Sequence, residues 1–164
     1  MAIHSDFFFI GSALVLGLVS GMRSMMAAAA LSLALSRRPE LAPAISPVQW
    51  FTLPPLAVFL TLLALGELVG DKLPRTPNRT ALGPFLARVV LGAIAGAAFV
   101  QIGHINAWLG AAAGGVGAIA STFGMFHARR YVGRITGIRD PWIGAMEDVV
   151  AIALAISVVA SLAA

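Results

Sequence analysis

Two acidic residues four positions apart, Glu67 and Asp71, close the second apolar stretch of the chain. On a helix they would share one face, where two carboxylates repel each other unless a proton or a cation intervenes. Acidic side chains beside hydrocarbon are costly and generally face a partner or a water-filled cavity. This pair is therefore the first candidate for a group that binds an ion or exchanges a proton.

Charged residues in the other apolar stretches are the candidates for completing such a site. Arg23 lies near the middle of the first stretch, where a charge without a partner would cost about 2.5–3.5 kcal/mol, so we expect it to be paired. The predicted binding site consists of Arg23, Glu67, Asp71, Lys72, Arg88, Glu147 and Asp148. In this site Glu67 or Glu147 would hold a cation or exchange a proton, with Arg23 as the internal counter-charge.

The segment after Asp71 is basic and rich in proline. Lys72, Arg75 and Arg79 are expected to set membrane topology, and Arg75 and Arg79 to contact lipid headgroups or phosphate. An alternative is an enzyme that processes a lipid phosphate at the cytoplasmic face, with Asp71 or Glu67 holding Mg²⁺. The chain has no Gly-x-x-x-x-Gly-Lys-Ser/Thr nucleotide loop, and no catalytic residue is assigned.

The composition favours a membrane protein. The 164 residues are 59% hydrophobic and 11% charged, whereas soluble domains carry about 25% charged residues. The net charge of +4 resides in short loops between apolar stretches, which is typical of contact with membrane lipids rather than nucleic acid.

The chain has no cysteine, and His4, His104 and His127 are too scattered for a metal cluster, so no cofactor is predicted and a metal is left undetermined.

The apolar stretches predict an all-α bundle of about five transmembrane helices that form a single domain over residues 1–164. The predicted helices cover residues 7–36, 54–70, 84–102, 107–131 and 141–162. The first would be about 45 Å long against a hydrocarbon core of about 30 Å, so it must tilt, protrude or break. Glycine and serine at residues 20–24 favour a kink or break near Gly21. Glycines four residues apart predict close helix packing.

Five spans would put the two chain ends on opposite sides of the membrane. The second and fourth loops hold seven lysines and arginines, against two in the first loop and none in the third, which favours a cytoplasmic N-terminus. The segment from Arg37-Arg38 to Glu67 weakly resembles the segment from Arg129-Arg130 to Glu147. The two halves could therefore form an inverted repeat, as in many transporters.

Three segments carry a resemblance to a known family. They are Gly21-Met22-Arg23-Ser24, the run from Glu67 to Pro74, and Asp140-Pro141-Trp142 followed by Met146-Glu147-Asp148. Together they resemble domain of unknown function 4126, a bacterial membrane-protein family, over nearly the whole chain. Members more often carry Asn-Pro where this chain has Asp140-Pro141. The resemblance implies a small multi-pass protein of the bacterial inner membrane and brings no established activity.

These observations favour transport or permeation of a small ion or solute, and a non-enzyme over an enzyme. Five spans are few for enclosing a pathway, so a homo-oligomer is expected. The lipid-phosphate enzyme is the alternative, together with an accessory or structural subunit in which the charges are only salt bridges and anchors. A permeation site requires Glu67 and Arg23 together at depth, whereas the enzyme requires its acids beside the basic loop at the headgroup level.

Overall fold

The computed structural model is all-helical and describes residues 2–44, 46–70, 81–137 and 140–163. In this part of the chain the α-helices are α1 (Ala2–Met22), α2 (Met26–Arg37), α3 (Pro54–Gly70), α4 (Leu82–Ile102), α5 (Ala107–Thr136) and α6 (Asp140–Ala160). Short 3₁₀ segments cover Pro39–Leu41, Pro47–Thr52 and Ser161–Ala163. The all-α fold class is confirmed.

The first predicted helix is broken into α1 and α2, as the sequence indicated. The break lies at residues 23–25, directly after the glycine and serine pair. Arg23 still donates its backbone N–H to Val19, but the N–H groups of Ser24 and Met25 leave the helical ladder and bind a side chain of α3. The break is therefore fixed by a tertiary contact as well as by local sequence.

Three helices are long and apolar enough to cross a membrane by length and composition: α4, α5 and the part of α6 from Trp142 to Ala160. The apolar part of α1 (Asp6–Met22), α2 and α3 are shorter. The described chain is consistent with a membrane protein, and a count of five transmembrane helices is not confirmed.

Helices α1, α4 and α5 pack backbone to backbone through small residues. A Cβ atom on Gly17 would collide with the carbonyl oxygen of Gly114, and one on Gly114 would collide with that of Gly92. Gly96 and Gly110 oppose each other in the same way. These contacts fix the three helices at a separation that larger side chains would not allow.

Contacts along α1 give the helix directions. Near its start, Phe9 packs on Phe99, with ring centroids 5.7 Å apart, and lies against Gly103 in the turn between α4 and α5. Near its end, Gly21 meets Ala118 and Ser121, more than two turns into α5. Helix α1 is therefore parallel to α5 and antiparallel to α4. We call the end of the bundle that holds residues 103–106 the turn end, and the opposite end the basic end.

Helix α2 runs back towards the turn end. Ser46, in the loop after α2, donates to the side-chain carbonyl of Gln101 near the end of α4 at 2.5 Å, and Arg38 donates to the backbone carbonyl of Leu162 after α6 at 3.3 Å. Helices α1 and α2 thus form a helical hairpin with its tip at residues 23–25. We call these three residues the hairpin tip.

The hairpin changes the predicted topology. Both Phe9 and Leu162 lie at the turn end, whereas five spans would place the two ends of the chain at opposite ends of the bundle. The prediction counted α1 and α2 as a single crossing, but the chain reverses direction between these two helices. Helix α1 runs opposite to α4, α2 opposite to α5, and α3 opposite to α6, so these directions are consistent with an inverted repeat of three helices in each half.

Candidate functional site

Three arginine–carboxylate pairs lie around the hairpin tip in the described part of the chain. They join Arg23 to Asp148, Arg88 to Glu67, and Arg129 to Glu147. We call these six residues the charged layer. The hairpin tip and helices α3, α4, α5 and α6 all contribute to it, so the layer ties the bundle together near one depth.

Arg23 and Asp148 form the most buried contact of the layer. The Arg23 Nε donates to Asp148 Oδ1 at 2.5 Å, and its Nη2 contacts the same oxygen. The two residues are only 2% and 7% exposed. Removing one partner of a buried ion pair leaves an uncompensated charge, so each of the two residues holds the other in place.

Glu67 caps the start of α2 from a different helix. Its Oε1 accepts from the backbone N–H and the hydroxyl of Ser24 at 2.8 and 2.7 Å, and its Oε2 accepts from the N–H of Met25 at 3.0 Å. Ser24 and Met25 stand immediately before Met26, the first residue of α2. The start of a helix carries partial positive charge, which favours a carboxylate at this position. No side chain at Met25 caps α2, so Glu67 is the side chain that faces this helix end.

Arg88 connects the cap to α4 and to the end of α1. Its Nη2 lies 3.9 Å from Glu67 Oε1, and its backbone carbonyl accepts from the Ser20 hydroxyl at 2.9 Å. Only 4% of Arg88 is exposed. The distance to Glu67 exceeds that of a hydrogen bond, so the attraction is electrostatic.

Arg129 reaches Glu147 across the space left by a glycine. The Arg129 Nε lies 2.9 Å from Glu147 Oε2, and Glu147 is 2% exposed. A Cβ atom on Gly144, one turn before Glu147, would collide with the Arg129 guanidinium. Gly144 therefore opens the path between α5 and α6 through which the two charges meet.

The structure brings together the predicted site residues that it describes. Arg23, Glu67, Arg88, Glu147 and Asp148 all belong to the charged layer. The other predicted residues, Asp71, Lys72, Arg75 and Arg79, lie outside the described residues.

The pairing within the layer differs from the prediction in two ways. Arg23 was expected to balance Glu67 or Glu147, but the structure places it on Asp148. Sequence reasoning missed Arg129, which was counted as a loop cation although it lies within α5. The signal that could have found it is Gly144, three residues before Glu147 on a helix and hence beside it.

The two histidines whose side chains the structure describes, His104 and His127, are not members of the charged layer. His127 is exposed and bonds through Nδ1 to the carbonyl of Phe123 at 2.8 Å, and His104 lies in the turn before α5 with a left-handed backbone (φ 57°). Within the described ranges, no group of three or more histidines and acids is placed to hold a metal ion.

The architecture itself defines a class of protein. It is a small all-helical bundle, consistent with a membrane protein, with a helical hairpin and a largely buried charged layer at its tip. The chain belongs to the family described as domain of unknown function (DUF4126), whose model matches residues 10–162 and so contains the whole charged layer. No curated protein and no solved structure matches the chain.

Proposed function

We propose that the chain is an integral membrane protein that transports a small ion or solute, or lets it permeate, through the charged layer. One observation carries the proposal: six ionisable side chains lie paired around a helix break inside an apolar bundle. Ionisable groups within membrane spans are rare and mark ion or substrate pathways. Broken helices whose ends face such groups are a recurring feature of transporter sites.

The depth of the charged layer favours permeation over lipid-phosphate chemistry. Arg88 lies about 9 Å from the start of α4, and Asp148 about 12 Å from the start of α6, at 1.5 Å per helical residue. Glu67 bonds to Ser24, the residue next to Arg23, so both charges lie together at that depth. The enzyme hypothesis depends on Asp71, Lys72, Arg75 and Arg79, and no observation on the described residues favours it.

Glu67 is the group through which an ion or proton would act on the structure. Its carboxylate holds the start of α2 by accepting three hydrogen bonds. A proton or cation on Glu67 competes with those donors and weakens the cap, since capping depends on acceptor oxygens and negative charge. Binding would therefore loosen the hairpin tip, which is the two-state element that alternating access requires.

The hairpin supports a proposed orientation. The end of α3 and the end of α5 both lie at the basic end. The loops that follow these helices, together with the last two turns of α5, hold six lysines and arginines, whereas Arg129 belongs to the charged layer. The positive-inside rule then places the basic end in the cytoplasm and both chain ends on the other face. This reverses the N-terminal orientation expected from five spans.

The proposal keeps the bacterial inner membrane and a homo-oligomer, because one small bundle encloses little space.

Flux through reconstituted vesicles tests the proposal. Vesicles with a pH gradient or a K⁺ gradient would be loaded with a pH-sensitive or K⁺-sensitive dye, and the wild type compared with Glu67→Gln. We expect Glu67→Gln to lower flux at least tenfold. Glu40→Gln is the matched control, because Glu40 is an exposed acid in the Pro39–Leu41 segment, and it should keep wild-type flux.

Two outcomes would contradict the proposal. One is a wild-type protein that supports no more flux of either ion than empty vesicles. The other is equal flux in the wild type and Glu67→Gln, with both proteins shown by circular dichroism to be folded.

A further inference from the structure

Two consecutive arginines stand at the mouth of an apolar groove on the side of the bundle away from the charged layer. The groove lies between α2 and α6, has a volume of about 350 Å³, and opens where Arg37 and Arg38 end α2. Its walls include Leu33 from α2 and Ile156 from α6. It is therefore an apolar slot with a cationic rim.

The groove exists because the facing side chains are small. Ala30 and Ala34 are four residues apart on α2, so they share one face, and Ala160 lines the groove from α6. Leu31 and Leu35 each follow one of these alanines by one residue, about 100° further round α2, and are fully buried in the core. Helix α2 thus packs these two leucines inward and leaves a shallow channel towards α6.

The two guanidinium groups are held at the rim by backbone carbonyls. Arg37 donates to the carbonyl of Leu33 at 3.4 Å, and Arg38 to that of Leu162 at 3.3 Å. Each guanidinium has five N–H donors in a planar fork that matches phosphate oxygens. Both side chains are exposed, as is Glu40 in the turn that follows. The rim therefore offers two cations and one nearby acid to a ligand.

Membrane topology does not account for these arginines. They lie at the turn end, which is the face opposite the cytoplasm in the proposed orientation, and the positive-inside rule disfavours cations there. An arginine pair in that position is better explained by a specific anionic ligand. The wall below the pair is apolar, so the ligand is an amphiphile with its charge at the membrane surface and its chain in the groove.

We propose that the groove between α2 and α6 binds one acyl chain of an anionic phospholipid, with the lipid phosphate held by Arg37 and Arg38. The volume lies at the lower end of the range of about 300–1,000 Å³ for ligand pockets, which fits a single chain. The site depends on the chain being embedded in a membrane and is independent of the charged layer and of transport.

Native mass spectrometry of the detergent-purified protein tests this site. Phosphatidylglycerol and phosphatidylcholine with identical chains would be titrated separately, and the retained lipid compared among variants. We expect the wild type to retain phosphatidylglycerol about tenfold more strongly, and Arg37→Gln/Arg38→Gln to lose that preference. Ala34→Phe fills the groove without changing its charge and should reduce retention of phosphatidylglycerol to a similar extent.

The matched control is Arg130→Gln/Arg134→Gln, which removes two exposed arginines at the basic end and should leave the preference unchanged. Inorganic phosphate at 10 mM should not displace the lipid. The proposal is overturned if the control loses the preference as completely as the Arg37/Arg38 variant, if Ala34→Phe binds like the wild type, or if inorganic phosphate displaces the lipid. Equal retention of both lipids by the wild type would also overturn the proposal. Binding of a second copy of the chain in the groove, in place of lipid, would overturn it as well.

Discussion

Glu67 and Ser24, which are 43 residues apart in sequence, meet through two hydrogen bonds of 2.8 and 2.7 Å to the backbone N–H and the hydroxyl of Ser24. The contact lies where α1 ends and α2 turns back. Because the start of α2 has no capping side chain of its own, the carboxylate on α3 decides whether the hairpin tip is closed. A local helix break and a half-buried acid are thus one structural unit.

Removing the Glu67 carboxylate should destabilise the fold. Glu67→Ala deletes three hydrogen bonds to a charged acceptor, so we expect a loss of about 2–3 kcal/mol in the free energy of unfolding. Unfolding followed by circular dichroism in mixed detergent micelles measures this loss. The exposed Glu40→Ala serves as the control and should change stability by less than about 0.5 kcal/mol. Equal stability of Glu67→Ala and the wild type would show that α2 does not need this cap.

The Arg23–Asp148 pair should behave as a coupled unit. Asp148→Leu leaves the buried charge of Arg23 without the Asp148 carboxylate, so it should lower the free energy of unfolding by about 3–5 kcal/mol. Arg23→Met should lower it by a similar amount, because it removes the other partner of the pair. The double variant should recover most of that loss, because apolar residues of similar size replace both charges. The same unfolding measurement completes the double-mutant cycle. Additive losses would mean that the two residues act independently.

Much of this fold could be predicted because each helix is an apolar run with local boundary signals. The break was predicted from serine and glycine before Arg23, and it lies at residues 23–25, two to four positions after Gly21. The predicted end of α5 at Tyr131 was early, since the helix continues to Thr136 and stops at Gly137, whose φ of 67° forms a left-handed cap. That glycine was a usable stop signal.

The reversal at the hairpin tip could not be predicted in the same way. Nothing local distinguishes a kinked span from a hairpin, because the turn is held by Glu67 from another helix. The partner of each charge likewise depends on how the helices are rotated. Arg23 and Glu147 share the layer, yet Asp148 is the residue that Arg23 bonds. The sequence was enough to predict that these charges are buried, whereas the partner of each charge depends on how the helices pack.

Enlarging Gly144 should disturb the Arg129–Glu147 pair. A methyl group there occupies the place of Arg129 Nη2, the end of a flexible side chain that can move aside. We therefore expect Gly144→Ala to displace the guanidinium from Glu147 and to lower the free energy of unfolding by about 1 kcal/mol or less. The double variant Gly144→Ala/Arg129→Gln should lose less free energy of unfolding than the sum of the two single losses, since both substitutions act on the same contact. Gly66→Ala is the control, because nothing lies within 4 Å of its Cβ position. Purely additive losses would contradict a shared contact.

The glycine contacts between α1, α4 and α5 leave no room for a methyl group. A Cβ atom on Gly114 meets the backbone of Gly92, which cannot move as the end of a flexible side chain can. Gly114→Ala should therefore cost at least about 3 kcal/mol, at the upper end of the range for overpacking. Gly124→Ala, on the same helix with open space around it, should be neutral or slightly stabilising because alanine is the better helix former. If Gly114→Ala and Gly124→Ala unfold at the same concentration of denaturing detergent, the close approach of α4 and α5 does not stabilise the bundle. If Gly114→Ala alone is destabilised, the frame that carries Arg88 depends on that approach.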